Sequence, residues 1–272
     1  MSLITITTGI GCEGYLIAKG VAEELNVTLY DDEGLQKEAL ASGLSEKDLK
    51  SLDEKAPGLF GRLLDLKPQA YQELMEAVVY ELAGRGEGII LGHGAPFLLR
   101  DFGCAFHISI HASLSSRVAH LMTNLDLEKE TAEKMIQKSD SDRIGFMKFA
   151  FNMDLHDPSL YDLIINRDKL GVEGAIDLLG AIAQSGALSA CSIDSIDAMK
   201  RLSLLKTVEA QIRKTAMRPR DFHIEVPEMG VVIIVGMINA LESRDRLVDA
   251  VKALPGVNEV RTDFVPEKLH DF

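Results

Sequence analysis

The chain has 272 residues, of which 46% are apolar and 26% are charged, so it can bury one or two hydrophobic cores. Its formal net charge of −13 argues against a general affinity for nucleic acid or for an anionic membrane surface. The three cysteines are odd in number and far apart, so they show neither a disulfide framework nor the spacing of metal ligands. This pattern favours a reducing compartment. The first residues do not resemble a signal peptide, and no run approaches the ~20 apolar residues of a membrane span. We therefore predict a cytoplasmic protein with no membrane partner.

The first two-thirds of the chain alternate between strand and helix patterns. Short apolar or β-branched runs predict strands at residues 3–7, 27–31, 88–92, 105–110 and 163–166. Apolar periodicity and composition predict helices at residues 15–25, 32–62, 67–85, 113–124, 128–139 and 172–184. Such alternation is typical of a parallel sheet with helices on both faces. We predict an α/β domain over residues 1–182.

The composition changes after residue 182, where small residues dominate. This stretch predicts a linker at residues 183–198. A helix at about 197–216 follows it, and then two strands around a turn at residues 227–230. The next helix has Ser243 as its predicted N-cap and ends at Pro255 and Gly256, before a last strand. This α-β-β-α-β order predicts a separate small α+β domain over residues 199–272.

A glycine-rich turn, "GIGCEG", joins the first strand to the first helix. Gly9 and Gly14 occupy the two glycine positions of the phosphate-loop pattern G-x-x-x-x-G-K-[ST], but Tyr15 stands where the lysine belongs. Backbone N–H groups at such a turn point toward one spot, and glycines such as Gly11 let a phosphate approach closely. Lys19, one helical turn further on, is either a cation that reaches back or a surface lysine. The alternative for the turn is a tight connection with no ligand.

Several polar residues follow the predicted strands of the central sheet. His93 lies between two glycines after the third strand, and His111 ends the fourth. Arg100 and Arg117 lie on the helices that come next. Open α/β sheets bind ligands at the carboxyl ends of their strands, so these residues are candidates for substrate contacts. Each is also compatible with an ordinary polar residue of a loop or helix surface.

Mixed charge marks residues 134–154, where three lysines and one arginine are interleaved with three aspartates. One interpretation is a solvated helical face, which is the common fate of such sequences. The other is a lid whose cations clamp phosphates, with Arg143 suited to this by its fork of donors.

The order of these segments resembles the cytidylate-kinase-like family of P-loop nucleotide kinases. The segments "ITITTGIGCEGYLIAKGVAEELN", "LYDDEGL", "IILGHGAPFLL", "SSRVAHL", "KSDSDR" and "DPSLYDLIIN" carry the resemblance, over about residues 1–182. The family implies a P-loop kinase-like parallel sheet and transfer of the γ-phosphoryl group of ATP to a nucleoside monophosphate with Mg²⁺. No residue of this chain is predicted to ligate a metal directly.

The resemblance also implies roles for individual residues of the phosphate loop. Gly11 and Gly14 match the family loop, while Cys12 replaces a serine, Glu13 replaces a glycine and Tyr15 takes a basic position. On this basis the phosphate-binding candidates are Gly9, Gly11, Cys12, Gly14, Tyr15 and Lys19.

Further roles follow for residues outside the loop. His93 takes the place of an arginine after the central strand and, with Asp31 and Arg100, would contact the acceptor nucleotide. Arg117 and Arg143 match the arginine after the fourth strand and the lid arginine, and they are the catalytic candidates. Cationic stabilisation and positioning supply most of the catalysis in phosphoryl transfer.

The C-terminal part resembles the BON family in its strand, Gly236, helix and "PGV" ending. This resemblance implies a module that binds a ligand or partner. The alternative is a module for packing or for dimerisation, through which the chain would form a homo-oligomer.

Three hypotheses for function follow. The first is a cytidylate-like kinase with a degenerate phosphate loop. The second is a non-catalytic nucleotide-binding or sensing protein that uses the same pocket, which Glu13, Tyr15 and His93 favour. The third is an interaction protein that no longer binds nucleotide. Nucleotides are the predicted ligands of the first two.

Overall fold

A computed structural model describes residues 3–41, 68–185, 188, 191–215, 217–238 and 241–265. Predictions for residues 42–67, including most of the helix expected at 32–62, lie outside these ranges. The strands are Leu3–Thr8 (β1), Leu29–Tyr30 (β2), Gly88–Leu91 (β3), Ala105–His111 (β4), Leu163–Asn166 (β5), Phe222–Glu228 (β6), Val231–Met237 (β7) and Glu259–Val265 (β8). The helices are Gly14–Leu25 (α1), Asp32–Ala41 (α2), Pro68–Ala83 (α3), Ala95–Leu98 (α4), Leu114–Leu125 (α5), Lys129–Phe151 (α6), Arg167–Gln184 (α7), Ile193–Lys214 (α8) and Leu241–Lys252 (α9).

The first five strands form one parallel sheet in the order β2-β3-β1-β4-β5. Alternate residues of β1 and β3 enter two different hydrophobic clusters. Ile4, Ile6 and Ile89 pack with α1 and α7, whereas Leu3 and Ile90 pack with α3 and α6. The sheet is therefore covered on both faces, as the sequence predicted. All five strands end at the same edge, which is where the glycine turn and the residues after β3, β4 and β5 meet.

The last three strands form a second, smaller sheet in the order β6-β7-β8, with β6 antiparallel and β8 parallel to β7. One face packs on α8 and α9 through a cluster that includes Leu204, Val208, Val232, Ile234 and Leu247. The predicted α-β-β-α-β order is confirmed by this arrangement.

Helix α8 contacts helix α3, which packs on the first sheet, as well as the second sheet. The Ser203 hydroxyl donates to the Ala77 carbonyl of α3 at 2.9 Å, and Lys206 Nζ lies 2.9 Å from a Glu76 carboxylate oxygen. Burial opposes the charge on Lys206, but the ion pairs with Glu76 and Glu209 raise its pKa above the ordinary value. The division into domains at residues 183–198 stays a prediction, and α8 is the element that joins the two sheets.

Some predicted boundaries were wrong. Helix α6 does not end near residue 139 but runs to Phe151, because Phe146, Met147 and Ala150 continue its buried face beyond the serine- and glycine-containing stretch. Helix α8 begins at Ile193 rather than near residue 197, after the Ser192 hydroxyl accepts a hydrogen bond from the Ser195 N–H. Three smaller boundaries also differ from the prediction. Strand β2 has only two residues, and helix α9 begins before Ser243. Helix α7 begins before a kink at Gly171.

The cysteines also differ from expectation. Cys104, before β4, forms a disulfide with Cys191, before α8, and Cys12 is free and buried. Their separation of 87 residues gave no sign of this pairing. The fold brings the two cysteines together because α8 packs beside α3, close to the start of β4. Within the described residues, no helix is both long enough and apolar enough to cross a membrane.

Candidate active site at the carboxyl edge of the parallel sheet

Two adjoining clefts open at the carboxyl edge of the five-stranded sheet. The loop cleft is lined by Gly9, Cys12, His111, Arg117, Asp140 and Arg143 among others, and its empty space of about 530 Å³ includes open solvent. The inner cleft is lined by Gly92, His93, Phe97, Arg143, Phe146 and Met147 among others, and its empty space of about 340 Å³ likewise includes open solvent. Thr7, Arg143 and Leu155 line both clefts. This edge is where ligands bind in open α/β sheets.

The glycine turn between β1 and α1 is tightly packed against its neighbours. Gly11 has a φ of +80°, and a Cβ there would lie 2.9 Å from the Arg117 carbonyl oxygen. A Cβ at Gly9 would lie 3.1 Å from the Arg117 guanidinium, and one at Gly14 would collide with the Thr8 side chain. Packing alone therefore accounts for glycine at these positions, whether or not a phosphate binds. The turn still leaves the N-terminus of α1 without a side-chain cap, so its N–H groups remain available to an anion.

Arg117 holds the turn from the side of α5. Its Nε donates to the Ile10 carbonyl at 2.7 Å, and its two terminal nitrogens each lie 2.8 Å from one oxygen of Asp140. The hydrogen bonds to Asp140 raise the pKa of Arg117, so the guanidinium is always charged. It brings a fixed positive charge to a loop that has lost its lysine, although Asp140 balances that charge.

Glu13 lies in the turn, in the left-handed backbone region, but is not among the residues that line the loop cleft. Its carboxylate oxygens lie 2.9 Å from Arg167 Nη2 and 3.3 Å from His120 Nδ1. Arg167 also donates to the Gly11 carbonyl at 3.3 Å. The acid is thus held on the side of the turn that faces β5 and α5.

Sequence reasoning missed Arg167 as a residue of the site. It directly follows β5, at the same sheet edge as His93 and His111, and that position was the signal that could have found it. The ion pair with Glu13 was not visible in the sequence because the two positions are far apart along the chain.

Arg143 projects from the middle of α6 and lines both clefts. Asp140, one turn earlier on the same helix face, lines the loop cleft with it. Arg143 therefore lies where groups bound in the two clefts would meet.

His93 has a left-handed backbone conformation at the end of β3, and its side chain is 2% exposed. Its Nε2 lies 2.7 Å from an Asp32 carboxylate oxygen at the start of α2. The neighbouring Asp31 accepts a hydrogen bond from the Gly34 N–H at 3.0 Å and so supports the first turn of that helix. His93 thus fastens α2 to the sheet edge while its ring lines the inner cleft.

The structure does not bring Tyr15, Lys19 or Arg100 into either cleft. Tyr15 is 46% exposed on α1, and Lys19 pairs with Glu23 at 3.8 Å on the exposed side of the same helix. Arg100 pairs with Asp101 at 3.3 Å, and its side chain is 57% exposed. His111, by contrast, lines the loop cleft at the end of β4.

The described residues offer few ligands for a divalent cation. They contain no group of three or more His, Cys, Asp or Glu that could hold a metal ion. Leu16 occupies the position at which a phosphate loop usually offers a metal-binding hydroxyl, and Asp140 is engaged by Arg117. The residues present therefore do not fit a protein-ligated Mg²⁺ site.

The strand order, the turn after β1 and the cleft at the sheet edge define a P-loop kinase-like fold. A family model described as the cytidylate kinase-like family matches residues 3–169, and the chain belongs to this family. This membership confirms the family suggested by the sequence, and it implies ATP and a divalent metal in general.

Individual relatives are distant. A cytidylate kinase from Methanothrix thermoacetophila is 26% identical over 177 residues, covering 65% of this chain and 94% of that enzyme. The match to a cytidylate kinase from Methanocaldococcus jannaschii is 30% identical but covers 37% of this chain and only 58% of that enzyme. A crystal structure of an uncharacterized protein from Eubacterium ventriosum aligns with a TM-score of 0.52 and 22% identity, covering 66% of this chain and 96% of that one. That structural likeness concerns the fold alone.

Proposed function

We propose that the protein binds ATP in the loop cleft and transfers its γ-phosphoryl group to a nucleoside monophosphate, with cytidylate as the first acceptor to test. One observation carries the proposal: the turn after β1, Arg117 and Arg143 line a single cleft at the carboxyl edge of the sheet. Phosphoryl transfer requires little besides positioning and positive charge around the phosphates, and this cleft offers both.

The proposed roles follow from position. The backbone N–H groups of the turn from Gly9 to Gly14 bind phosphate oxygens, except that of Cys12, which already donates to the Gly9 carbonyl at 3.2 Å. Arg117 supplies the charge that the missing lysine supplies in other phosphate loops. Arg143 reaches both clefts and stabilises the group in transfer. The acceptor occupies the inner cleft beside His93.

A second function, nucleotide binding without catalysis, is favoured by the ion pairs that surround the turn. Asp140 holds both terminal nitrogens of Arg117, and Glu13 holds Arg167. A carboxylate that stays within ~4 Å of a bound phosphate opposes it by about 1 kcal/mol in water and by more in a cleft. Under this alternative the protein binds nucleotide weakly and does not turn it over.

Calorimetry and a turnover assay separate the two functions. We expect ATP and CMP each to bind, and ADP release to depend on both, when heat of binding is measured with and without Mg²⁺ and turnover is measured with CMP, dCMP and UMP. Binding without ADP release selects the non-catalytic function. Absence of binding under every condition rejects both functions and leaves an interaction protein.

Carboxylate variants sharpen this test. Asp140→Asn and Glu13→Gln remove the charge that neutralises Arg117 or Arg167 while they preserve side-chain size. We expect either change to strengthen ATP binding by about tenfold, since a charge-assisted hydrogen bond contributes roughly 1.5–3 kcal/mol. Asp177→Asn, at an exposed position of α7, is the matched control and should leave ATP binding unchanged.

We also propose that the protein works in the cytoplasm, where both nucleotides are available, and that the C-terminal unit is a BON-like interaction module. The shared strand, helix and strand order supports the second statement. Because cytoplasmic thiols are usually reduced, the Cys104–Cys191 bond opposes the first. Cell fractionation with an antibody to the chain tests it directly.

A further inference from the structure

The three-stranded sheet has one face that the described chain leaves uncovered. On this face β7 places Val231, Ile233, Val235 and Met237, and none of the four belongs to the described hydrophobic clusters. Val231 is 8% exposed and therefore buried, whereas Ile233 and Val235 are partly exposed. Met237 is 62% exposed and Val265, beside it on β8, is 56% exposed. An apolar stripe of this kind on a regular sheet is typical of a contact surface.

Charged residues flank the stripe in two regular rows. The register places Glu225 on one side of Ile233 and Arg261 on the other. In the next row along β7, His223 and Asp263 flank Val235. Each row has an acid on one side and an arginine or histidine on the other, and the order of the two is reversed between the rows. Within one copy His223 lies 2.6 Å from Glu225, and Arg261 lies 2.8 Å from Glu259.

This reversal makes the face complementary to itself. A two-fold axis that crosses the strands between the rows lays Ile233 of one copy over Val235 of the other. The same operation lays Arg261 over Asp263 and Glu225 over His223, so each flank meets an opposite charge or a histidine. Symmetric dimers use one self-complementary patch on both subunits, and sheets that pack face to face keep their strands within about 30° of each other. With the axis along the strands instead, Glu228 would face Glu259, which disfavours that arrangement.

We infer that the open face joins two copies of this chain, with β7 packed antiparallel on β7 of the second copy. Strands of seven residues at ~3.4 Å per residue, three strands wide at ~4.8 Å, give roughly 340 Å² per copy. This is less than half of the ~800 Å² per partner in a stable interface. The dimer is therefore weak and depends on protein concentration, and the net charge of −13 opposes it at low salt.

Sedimentation velocity of the full chain, from about 5 to about 300 µM, tests the inference. We expect the average mass to rise toward that of a dimer across this range. Arg261→Asp and Asp263→Arg should each raise the dimer dissociation constant at least about tenfold, because each places like charges at two symmetric contacts. An equimolar mixture of the two variants should recover dimer, since the acid introduced at position 261 of one copy then faces the base introduced at position 263 of the other.

The mixture is the decisive measurement, because face-to-face pairing with this symmetry predicts recovery, whereas contacts that do not bring position 261 to position 263 do not. Lys169→Asp, an exposed charge reversal on α7 in the first unit, controls for the change in net charge and should not alter association. Circular dichroism confirms that each variant is folded, and ATP binding should be the same in all of them, which keeps this test independent of the proposed kinase function. A chain that is monomeric at every concentration, or a mixture that does not recover dimer, overturns the inference.

Discussion

The two sheets of this protein expose their polar groups in different places. The five-stranded sheet has helices on both faces, so its chemically useful side chains gather where the strands end. The three-stranded sheet has helices on one face only, and its charged side chains stand along the other face beside an apolar stripe. A sheet covered twice offers an edge that can enclose a small ligand, whereas a sheet covered once offers a flat surface for a macromolecule.

The comparison predicts that substitutions in the two regions have separable effects. Changes at the carboxyl edge of the first sheet should alter nucleotide binding and leave association unchanged. Changes on the open face of the second sheet should do the reverse. Helix α8 contacts both sheets, so it is the element through which this separation could fail.

The largest expected effect concerns Arg143, the cation that lines both clefts. Arg143→Ala should lower the rate of ADP release by about 10³-fold or more, because a positive charge on the group in transfer is worth about that much. Arg143→Lys should recover part of the rate, since lysine keeps the charge but not the fork of donors. Arg100→Ala is the control, because Arg100 lines neither cleft. An unchanged rate in Arg143→Ala would remove this residue from the reaction.

The next effect concerns the connection between the two regions. The Cys104–Cys191 bond closes a loop of 87 residues, and a bond across such a loop contributes about 4.6 kcal/mol in the chain-entropy model. We expect the double variant Cys104→Ser with Cys191→Ser to unfold at lower denaturant concentration than the oxidised protein. Cys12→Ser is the matched control. Peptide mapping that finds both cysteines as free thiols in the purified, non-reduced protein would contradict the pairing.

Two glycines with positive φ, one in each region, allow the stability cost of the same Gly→Ala substitution to be compared. Gly11→Ala should destabilise by about 2–3 kcal/mol, because left-handed strain adds to a Cβ that would approach the Arg117 carbonyl oxygen. Gly256→Ala, in the loop before β8, has the same φ range but open space around it and should cost only about 1 kcal/mol. Chemical denaturation gives both values. Equal losses would mean that the turn at Gly11 relaxes around the added methyl group.

How much the sequence could predict differs between the same two regions. The strand–helix alternation predicted the parallel sheet, and the residues after each strand pointed to the edge at which the two clefts open, because those patterns are local. The ion pair of Glu13 with Arg167 and the clamp of Arg117 on Asp140 were not predictable, since each joins segments that meet only in the folded chain. The Cys104–Cys191 bond was missed for the same reason.

On the second sheet, residue alternation predicted the strands but not which face stays open. That depends on the helix that packs against it. Helix α8 covers one face through Leu204 and Val208, and its start inside the predicted linker was not visible in the small-residue composition.

The smallest expected effect is a pH dependence of stability that belongs to the first sheet alone. His107 lies in β4, where its Nδ1 is 2.8 Å from the Thr5 hydroxyl of β1. Burial lowers the pKa of His107 below the ordinary 6.5, and the nearby Asp162 carboxylate and Leu99 backbone only partly offset this. Between the folded and unfolded pKa values the unfolded chain binds more protons, so the free energy of unfolding falls as the pH falls.

The stabilisation from neutral His107 is therefore complete above pH 6.5 and is lost as the pH falls through the folded pKa, by at most ~1.4 kcal/mol per pH unit. We expect the melting temperature of the wild type to drop more between pH 7.5 and pH 5.5 than that of His107→Gln, which keeps a hydrogen-bonding side chain but does not titrate. His223→Gln changes an exposed histidine on the open face of the second sheet and should retain the wild-type drop. Identical drops in all three proteins would mean that His107 takes up its proton without cost in the folded state. The buried contact between β1 and β4 would then tolerate a positive charge on His107, which is the opposite of what the burial of this ring predicts.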